Sequence, residues 1–294
     1  MSERPVCNYE GSRYNTEFWT AERSYEDAAE RIALKALLPP RGRRLVEIGA
    51  GFGRLADLYE GYEEIILFDY ARTQLEKAVE RLGHDGRYLF VQGNFYHLPF
   101  SAATFDTVTM IRTLHHAADA GAVIRNVAEI LASEGVFVLE FASKHNLKAL
   151  GRYLLRRQAW SPFDEAPVEF VELNFDFHPR WIWRQVEAAG LRREAVRTVS
   201  HFRIPWLKRL LPARLLARLD ALAQPTGRWW QWSPSVFVRL RAPAKASPPR
   251  PLFRCPDCGT PLGDPPRERF ACPTCGKVWA RQEGIYNFRD PLNR

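Results

Sequence analysis

No stretch of the 294-residue chain approaches about 18 uncharged apolar residues, so no membrane-spanning helix is expected. Cysteine is scarce: there are five, and four of them fall after residue 251, which excludes a disulfide framework distributed through the chain. The opening MSERPVCNYEGSRYN has no apolar core behind its first charges and does not read as a secretory signal, so the expected compartment is the cytoplasm. Nothing recurs at the periods of roughly 20–50 residues that mark solenoids. The composition, 46% apolar and 26% charged, excludes a disordered or fibrous chain. The length suggests about two domains.

The net charge of +8 is unevenly placed. Residues 1–146 carry 16 basic and 21 acidic side chains, residues 147–241 carry 17 and 8, and residues 242–294 carry 9 and 5. Seven of the nine tryptophans lie in the middle segment, so the basic and aromatic character belongs together there. Residues 242–251, APAKASPPRP, read as a linker between a body (1–241) and a tail (252–294). Up to residue 146 the short apolar runs LVEIG, EIILFD, RYLFVQG, FDTVTMI and GVFVLEFA alternate with helix-like segments such as RLADLYEGY, ARTQLEKAVERL and GAVIRNVAEILAS. That alternation predicts βαβ units around a doubly wound, mostly parallel sheet, whose ligands sit at the carboxyl ends of the strands.

The first run leads into Glu47-Ile48-Gly49-Ala50-Gly51-Phe52-Gly53-Arg54. Glycines at alternating positions after a strand allow a tight turn and close approach of a ligand to the backbone. A dinucleotide fingerprint would need its third glycine where Arg54 stands, so another ligand fits better. Asp69 ends the second run, where a carboxylate can accept from both hydroxyls of a ribose. Asn94 and Phe95 follow the third run, placed to meet an adenine edge and ring. Each residue alone has a plain structural reading, as a turn or a helix cap. Three in order at successive strand ends predict a nucleoside site.

The order ExGxGxG, Asp, GNF…LPF and FDTVTMIRTLHH resembles the class I S-adenosylmethionine-dependent methyltransferases over about residues 40–145. The resemblance implies a Rossmann-like, seven-stranded α/β sheet with a reversed final hairpin, supplied by 191–200 and 234–241. It implies S-adenosylmethionine as cofactor, with Glu47, Gly49, Ala50, Gly51 and Gly53 at its methionine part, Asp69 at the ribose, and Tyr70 in the cofactor-binding set. Asn94, Phe95 and Arg112 would complete the cofactor set. An N-terminal helical lid over residues 1–40 would place Tyr14 and Trp19 over the cofactor, with packing on the first helix as the plain alternative.

Methyl transfer from a sulfonium is an in-line displacement that depends on positioning, with a base needed only where the acceptor loses a proton. His115 and His116, after the fourth run, are the candidates for base or orienter; the plain alternative is one packing under the cofactor and the other capping a helix. Glu140 and His145 are second candidates. HPRWIWRQVEAAG predicts the last sheet-covering helix, ending at Gly190. Residues 203–224 predict one or two amphipathic helices broken at Pro212, with Leu207, Leu210, Leu211, Leu215, Leu219 and Leu222 near helical spacing. By the same resemblance they form, with Trp229, Trp230 and Trp232, a basic substrate cap over 201–233; the plain alternative is a cap packed on the body with solvated arginines, and such a basic amphipathic helix could also touch an anionic membrane. The cap suits a small-molecule or lipid-like acceptor, with RNA as the alternative. A cofactor-binding scaffold without methyl transfer is an alternative of another class.

In the tail, Cys255-x2-Cys258 and Cys272-x2-Cys275 are separated by thirteen residues, and CPDCG is echoed by CPTCG. That spacing predicts a four-thiolate structural zinc site in a zinc ribbon, with iron as the lesser alternative. A tail with so few apolar residues needs such a staple to fold. It resembles the zinc-binding activator subunit of translation-related methyltransferases and the zinc finger fused to certain rRNA methyltransferases. By that resemblance the tail stabilises the body or docks RNA or protein. Cys7 reads as incidental.

Overall fold

A computed structural model describes residues 4–12, 21–246 and 250–293. Five strands carry the parallel part of the sheet: β1 (Gly42–Ile48), β2 (Tyr62–Asp69), β3 (Tyr88–Gln92), β4 (Phe105–Met110) and β5 (Leu131–Ala142). The helices α1 (Ser24–Leu37), α2 (Arg72–Leu82) and α3 (Ala120–Ile130) lie before and between them. Beyond β5 come α4 (Leu147–Leu154), the hairpin β6 (Val168–Val171) and β7 (Asn174–Asp176), α5 (Pro179–Ala188) and β8 (Arg192–Val199). Then α6 (Pro205–Leu210) and α7 (Ala213–Ala223) precede β9 (Ser235–Arg241). The tail holds β10 (Phe253–Arg254), β11 (Pro261–Gly263), β12 (Arg269–Ala271), β13 (Val278–Gln282) and β14 (Ile285–Asn287).

The order β3-β2-β1-β4-β5-β9-β8 is the expected seven-stranded sheet, with β9 antiparallel to both β5 and β8. Its strands are apolar on both faces, because helices cover both: Leu45, Ile65, Leu67 and Val138 pack toward α1 and α7, and Val46, Ile66, Val108 and Leu139 toward α3 and α5. Local chemistry sets the ends of the covering helices. The Asp119 side chain caps α3 by accepting from the Ala122 N–H at 2.9 Å. His178 caps α5, Pro179 opens it, and Gly190 (φ +73°) closes it as expected. The 203–224 segment breaks at Pro212, as its sequence predicts.

Two expectations need correction. RLADLYEGY forms only a 3-10 turn (Ala56–Tyr59), because Tyr62 is already taken into β2, opposite Gly42. At the bend, a side chain on Gly61 would stand 2.1 Å from the Pro40 carbonyl oxygen. The second correction concerns the tail, which is not a separate body. Its β14 pairs in parallel with β3, so the sheet continues as β12-β13-β14-β3 to ten strands. Leu252 and Phe253 are fully buried, and the Phe253 ring lies 6.2 Å from Phe100 of the body and 4.8 Å from Phe288. The tail is too short to enclose a core, so it buries its aromatics in the core of the sheet. No helix among the described residues is long and apolar enough to cross a membrane.

Candidate cofactor cleft and cysteine cluster

The glycine loop leaves β1 with Gly49, Gly51 and Gly53 all at positive φ. A side chain on Gly49 would collide with Thr113 Oγ1 at 2.1 Å, whereas one on Gly51 would meet nothing within 4 Å among the described residues. The loop therefore packs closely on the β4 side and borders open space at Gly51. There the Gly51 N–H donates to Asp69 Oδ2 at 2.7 Å, and the Ala71 N–H donates to Oδ1 at 2.9 Å. Loop and acid are thus held together at neighbouring strand ends. Glu47 is buried with Oε2 unpartnered among the described residues, and burial pushes its carboxyl up to about 8 against the pull of Arg54.

Arg54 binds Asp27 and, at 2.8 Å, Glu30, while Arg112 reaches Glu30 at 3.1 Å. One nearly buried acid of α1 thus holds the loops after β1 and β4. Sequence reasoning missed Glu30; its signal is an acid among the buried positions of α1, beside Ala29, Ala33 and Leu37. Arg112 itself is at φ +56°, with its N–H donating to Glu140 Oε2. Glu140 also accepts from Ser235 Oγ at 2.7 Å, so both its oxygens are engaged in joining strand ends. That removes it as a free base. Asn94 serves locally too: its Oδ1 accepts from the Tyr96 N–H, and Phe95 is packed in the core against Tyr96.

The two histidines are held differently. His116 Nδ1 lies 3.1 Å from the Leu173 carbonyl, which only accepts, so the proton sits there and Nε2 accepts from the Tyr9 hydroxyl at 3.1 Å. The neighbouring His115 ring, 3.9 Å away, has no hydrogen-bond partner among the described residues. Burial, His116 and Arg112 hold His115 well below the usual imidazole range, so it is neutral at neutral pH. His145 lies off this pair, its ring 4.8 Å from His178 and 6.4 Å from Trp232.

Tyr9 belongs to a strap. Arg4 pairs with Asp119 at the start of α3, Val6 bridges Ala117, and Glu10 accepts from the Arg72 and Thr73 N–H groups at the start of α2. Residues 4–12 therefore run across the strand ends between α3 and α2. Tyr14 and Trp19 lie outside the described residues. Tyr25 is core, donating to Asp220 of α7 at 2.6 Å. Tyr70 is half-buried beneath the tail: Arg289 lies 5.0 Å over its ring and donates to its carbonyl at 3.0 Å.

The four tail cysteines are folded as two equivalent knuckles. Gly259 N donates to Cys255 O at 2.8 Å, and Gly276 N to Cys272 O at 3.0 Å. All four sulfurs lie within 4.8 Å of one another, with Cys255–Cys275 at 3.6 Å and Cys258–Cys272 at 3.4 Å. A tetrahedral site with metal–sulfur bonds of about 2.3 Å needs sulfurs about 3.8 Å apart, so this donor set fits zinc.

Comparison with known proteins places the fold in a class. Residues 46–139 match a family described as "Methyltransferase domain". Among curated relatives, the chain is 30% identical over 138 residues to the 27-O-demethylrifamycin SV methyltransferase of Amycolatopsis mediterranei, covering 44% of this chain and 51% of that protein. It is 30% identical over 125 residues to the ubiquinone/menaquinone biosynthesis C-methyltransferase UbiE of Cellvibrio japonicus, covering 40% and 50%. The chain thus spans about half the length of the curated relatives it matches. A solved SAM-dependent methyltransferase from Thermotoga maritima superposes with a TM-score of 0.55 at 20% identity, covering 78% of this chain and 96% of that one. A chain from the complex of the Haloferax volcanii Trm112 methyltransferase activator with a methyltransferase gives 0.53 at 17%, covering 77% and 93%. These structures establish a Rossmann-like methyltransferase fold. The matched domain and the named curated relatives are all methyltransferases.

Proposed function

We propose that the chain transfers a methyl group from S-adenosylmethionine to a small-molecule or lipid-like acceptor. The observation that carries this reading is the junction of Gly51 and Asp69, a backbone donor and a carboxylate held 2.7 Å apart beside open space at successive strand ends. Bound S-adenosylmethionine supplies an electrophilic sulfonium methyl. Asp69 accepts from the ribose hydroxyls, the glycine loop lets the backbone approach the methionine part, and Glu47 offers its unpartnered oxygen to the cofactor's cationic end. Arg112 and Arg54, fixed by Glu30, keep both loops in register. His115 is the side chain free to take a proton from, or orient, the acceptor, while His116 fixes the strap through Tyr9. The names of the rifamycin and quinone-pathway relatives, both methyltransferases of nonpolymeric compounds, favour an acceptor of that kind.

The tail, in the same reading, binds zinc through Cys255, Cys258, Cys272 and Cys275 and acts by extending the sheet beyond β3. The test is calorimetry with S-adenosylhomocysteine. Binding is expected, and Asp69→Ala should weaken it at least about tenfold, since charge-assisted bonds contribute about 1.5–3 kcal/mol each. Unchanged affinity would refute the site. Labelled cofactor with cell extract then sorts the acceptor: label in small molecules or lipid supports the reading, and label confined to RNA or protein contradicts it.

A further inference from the structure

Sixteen of the seventeen large apolar side chains exposed among the described residues fall between residues 147 and 232, on segments that leave or enter neighbouring strand ends. The helix α4 leaves the end of β5, α6 and α7 follow the end of β8, and the tryptophan segment leads into β9. Register places these strand ends together, with Ser235 opposite both Ala142 and Val199. Because β5 runs parallel to β4, this is also the edge that carries His115. The Leu147 N–H donates to the Trp232 carbonyl at 3.1 Å, joining α4 to the tryptophan segment, and the Tyr153 ring meets Phe163.

We propose that this edge docks on an anionic lipid bilayer. On α7, Leu216 and Ala217 face α1, which leaves Leu215, Leu219 and Leu222 outward, the last 78% exposed. On α6, Trp206 and Leu210, one turn apart, are both exposed. Trp229 and Trp230 add indole rings, which partition to the headgroup level of a bilayer. The charge is complementary to anionic lipid. Lys148, Arg152, Arg156 and Arg157 on and after α4, and Arg209, Arg214 and Arg218 on α6 and α7, are exposed with no ion-pair partner among the described residues. The single acid within 203–232, Asp220, is fully buried against Tyr25 and His201. Five acids lie nearby on 164–176: Glu165 is paired with Arg184, Asp164 and Glu169 accept from the Ala166 and Leu173 N–H groups, Asp176 is half-buried in the field of Arg152 and Lys144, and Glu172 is exposed.

A nucleic acid would use the arginines and stack on the tryptophans but would leave Leu210, Leu219 and Leu222 in water. A bilayer interface uses all three groups: aliphatics below, indoles at headgroup level, guanidiniums at the lipid phosphates. It also turns the mouth of the cleft toward the membrane. The docking does not depend on methyl transfer, and its test reads no activity.

The full chain is sedimented with sucrose-loaded phosphatidylcholine vesicles, with and without phosphatidylglycerol, while tryptophan emission is recorded. Binding to the anionic vesicles, weakened by salt and accompanied by a blue shift, is expected, with little binding to the neutral ones. Replacing Arg209, Arg214 and Arg218 with Gln should lower partitioning about a hundredfold. Trp206→Ser with Leu210→Ser should reduce both binding and blue shift; circular dichroism confirms that each variant is folded. Three results overturn the proposal: no partitioning onto anionic vesicles, retention by single-stranded RNA under conditions where vesicles do not bind, or self-association that protects Trp206 and Trp230 from a soluble quencher.

Discussion

Glu47 shows how a cleft residue acts on stability as well as on ligand. Its carboxyl is pushed up to about 8 from an ordinary 4.5, so the folded chain keeps a proton that the unfolded chain has lost. Stability therefore falls as pH rises through that window, because there the unfolded state binds fewer protons. Glu47→Gln removes the titration: its thermal midpoint should match the native one near pH 5, exceed it near pH 8, and accompany weaker S-adenosylhomocysteine binding. A native-like slope in the variant would contradict the assignment. The histidines divide in a second prediction. His115, held well below the usual imidazole range, stays neutral, so the acid limb of the methyl-transfer rate should lie below about 6.5. His115→Ala should lower kcat by about 10²–10⁴-fold if it is the base, with cofactor affinity kept. His116→Ala instead removes the bond from Tyr9 to Nε2 and should raise the cofactor KM. Steady-state kinetics across pH separates the two.

Among the elements, the contact of α1 with α7 rests on a buried polar junction. Tyr25 donates to Asp220 and accepts from the Phe202 N–H, and His201 lies 3.1 Å from the same carboxylate. Tyr25→Phe leaves a buried carboxylate and a backbone donor short of a partner, and should cost about 1–3 kcal/mol, read by chemical denaturation. Such junctions were not legible in the sequence, where nothing marks Tyr25 and Asp220, 195 residues apart, as partners. Five strands, the break at Pro212 and the stop at Gly190 were legible as local properties, whereas the reversed hairpin followed from the family resemblance. The glycine loop and Asp69 were legible because turn chemistry and strand order place them together. Asn94 carried less information, since an Asn after a strand makes the same Asx turn with or without a ligand. On α7, leucines at near-helical spacing suggest one apolar face, yet only Leu216 is fully buried there, because α1 meets it along a narrow line. Pairing of β14 with β3 was the least legible, since IYNF carries no mark of which edge it joins.

Across the whole molecule, that pairing links the cysteine cluster to the cofactor cleft. The β14 strand binds β3, the Phe288 N–H donates to the Gln92 carbonyl at 2.8 Å, and the Gln92 side chain donates to the Tyr70 carbonyl. Arg289 reaches the same carbonyl and also pairs with Glu10, the residue that ties the strap to α2. Arg72, at the start of α2, pairs with Glu283 of the tail. These contacts join the tail to the residues around Asp69. Because the tail shares the core through Phe253 and Phe100, metal removal should not simply release a floppy end. Chelation of the chain should lower the midpoint of one cooperative transition, expose the β3 edge to aggregation, and weaken S-adenosylhomocysteine binding. Arg289→Ala tests the connection without disturbing the metal. It removes one bond to Tyr70 and the pairing with Glu10, so affinity should fall about fivefold, for a net contribution of about 1 kcal/mol, at unchanged zinc content. Calorimetry beside metal analysis decides the matter: a chelated protein that binds the ligand as tightly as the native one would show that the tail supports the sheet without reaching the cleft.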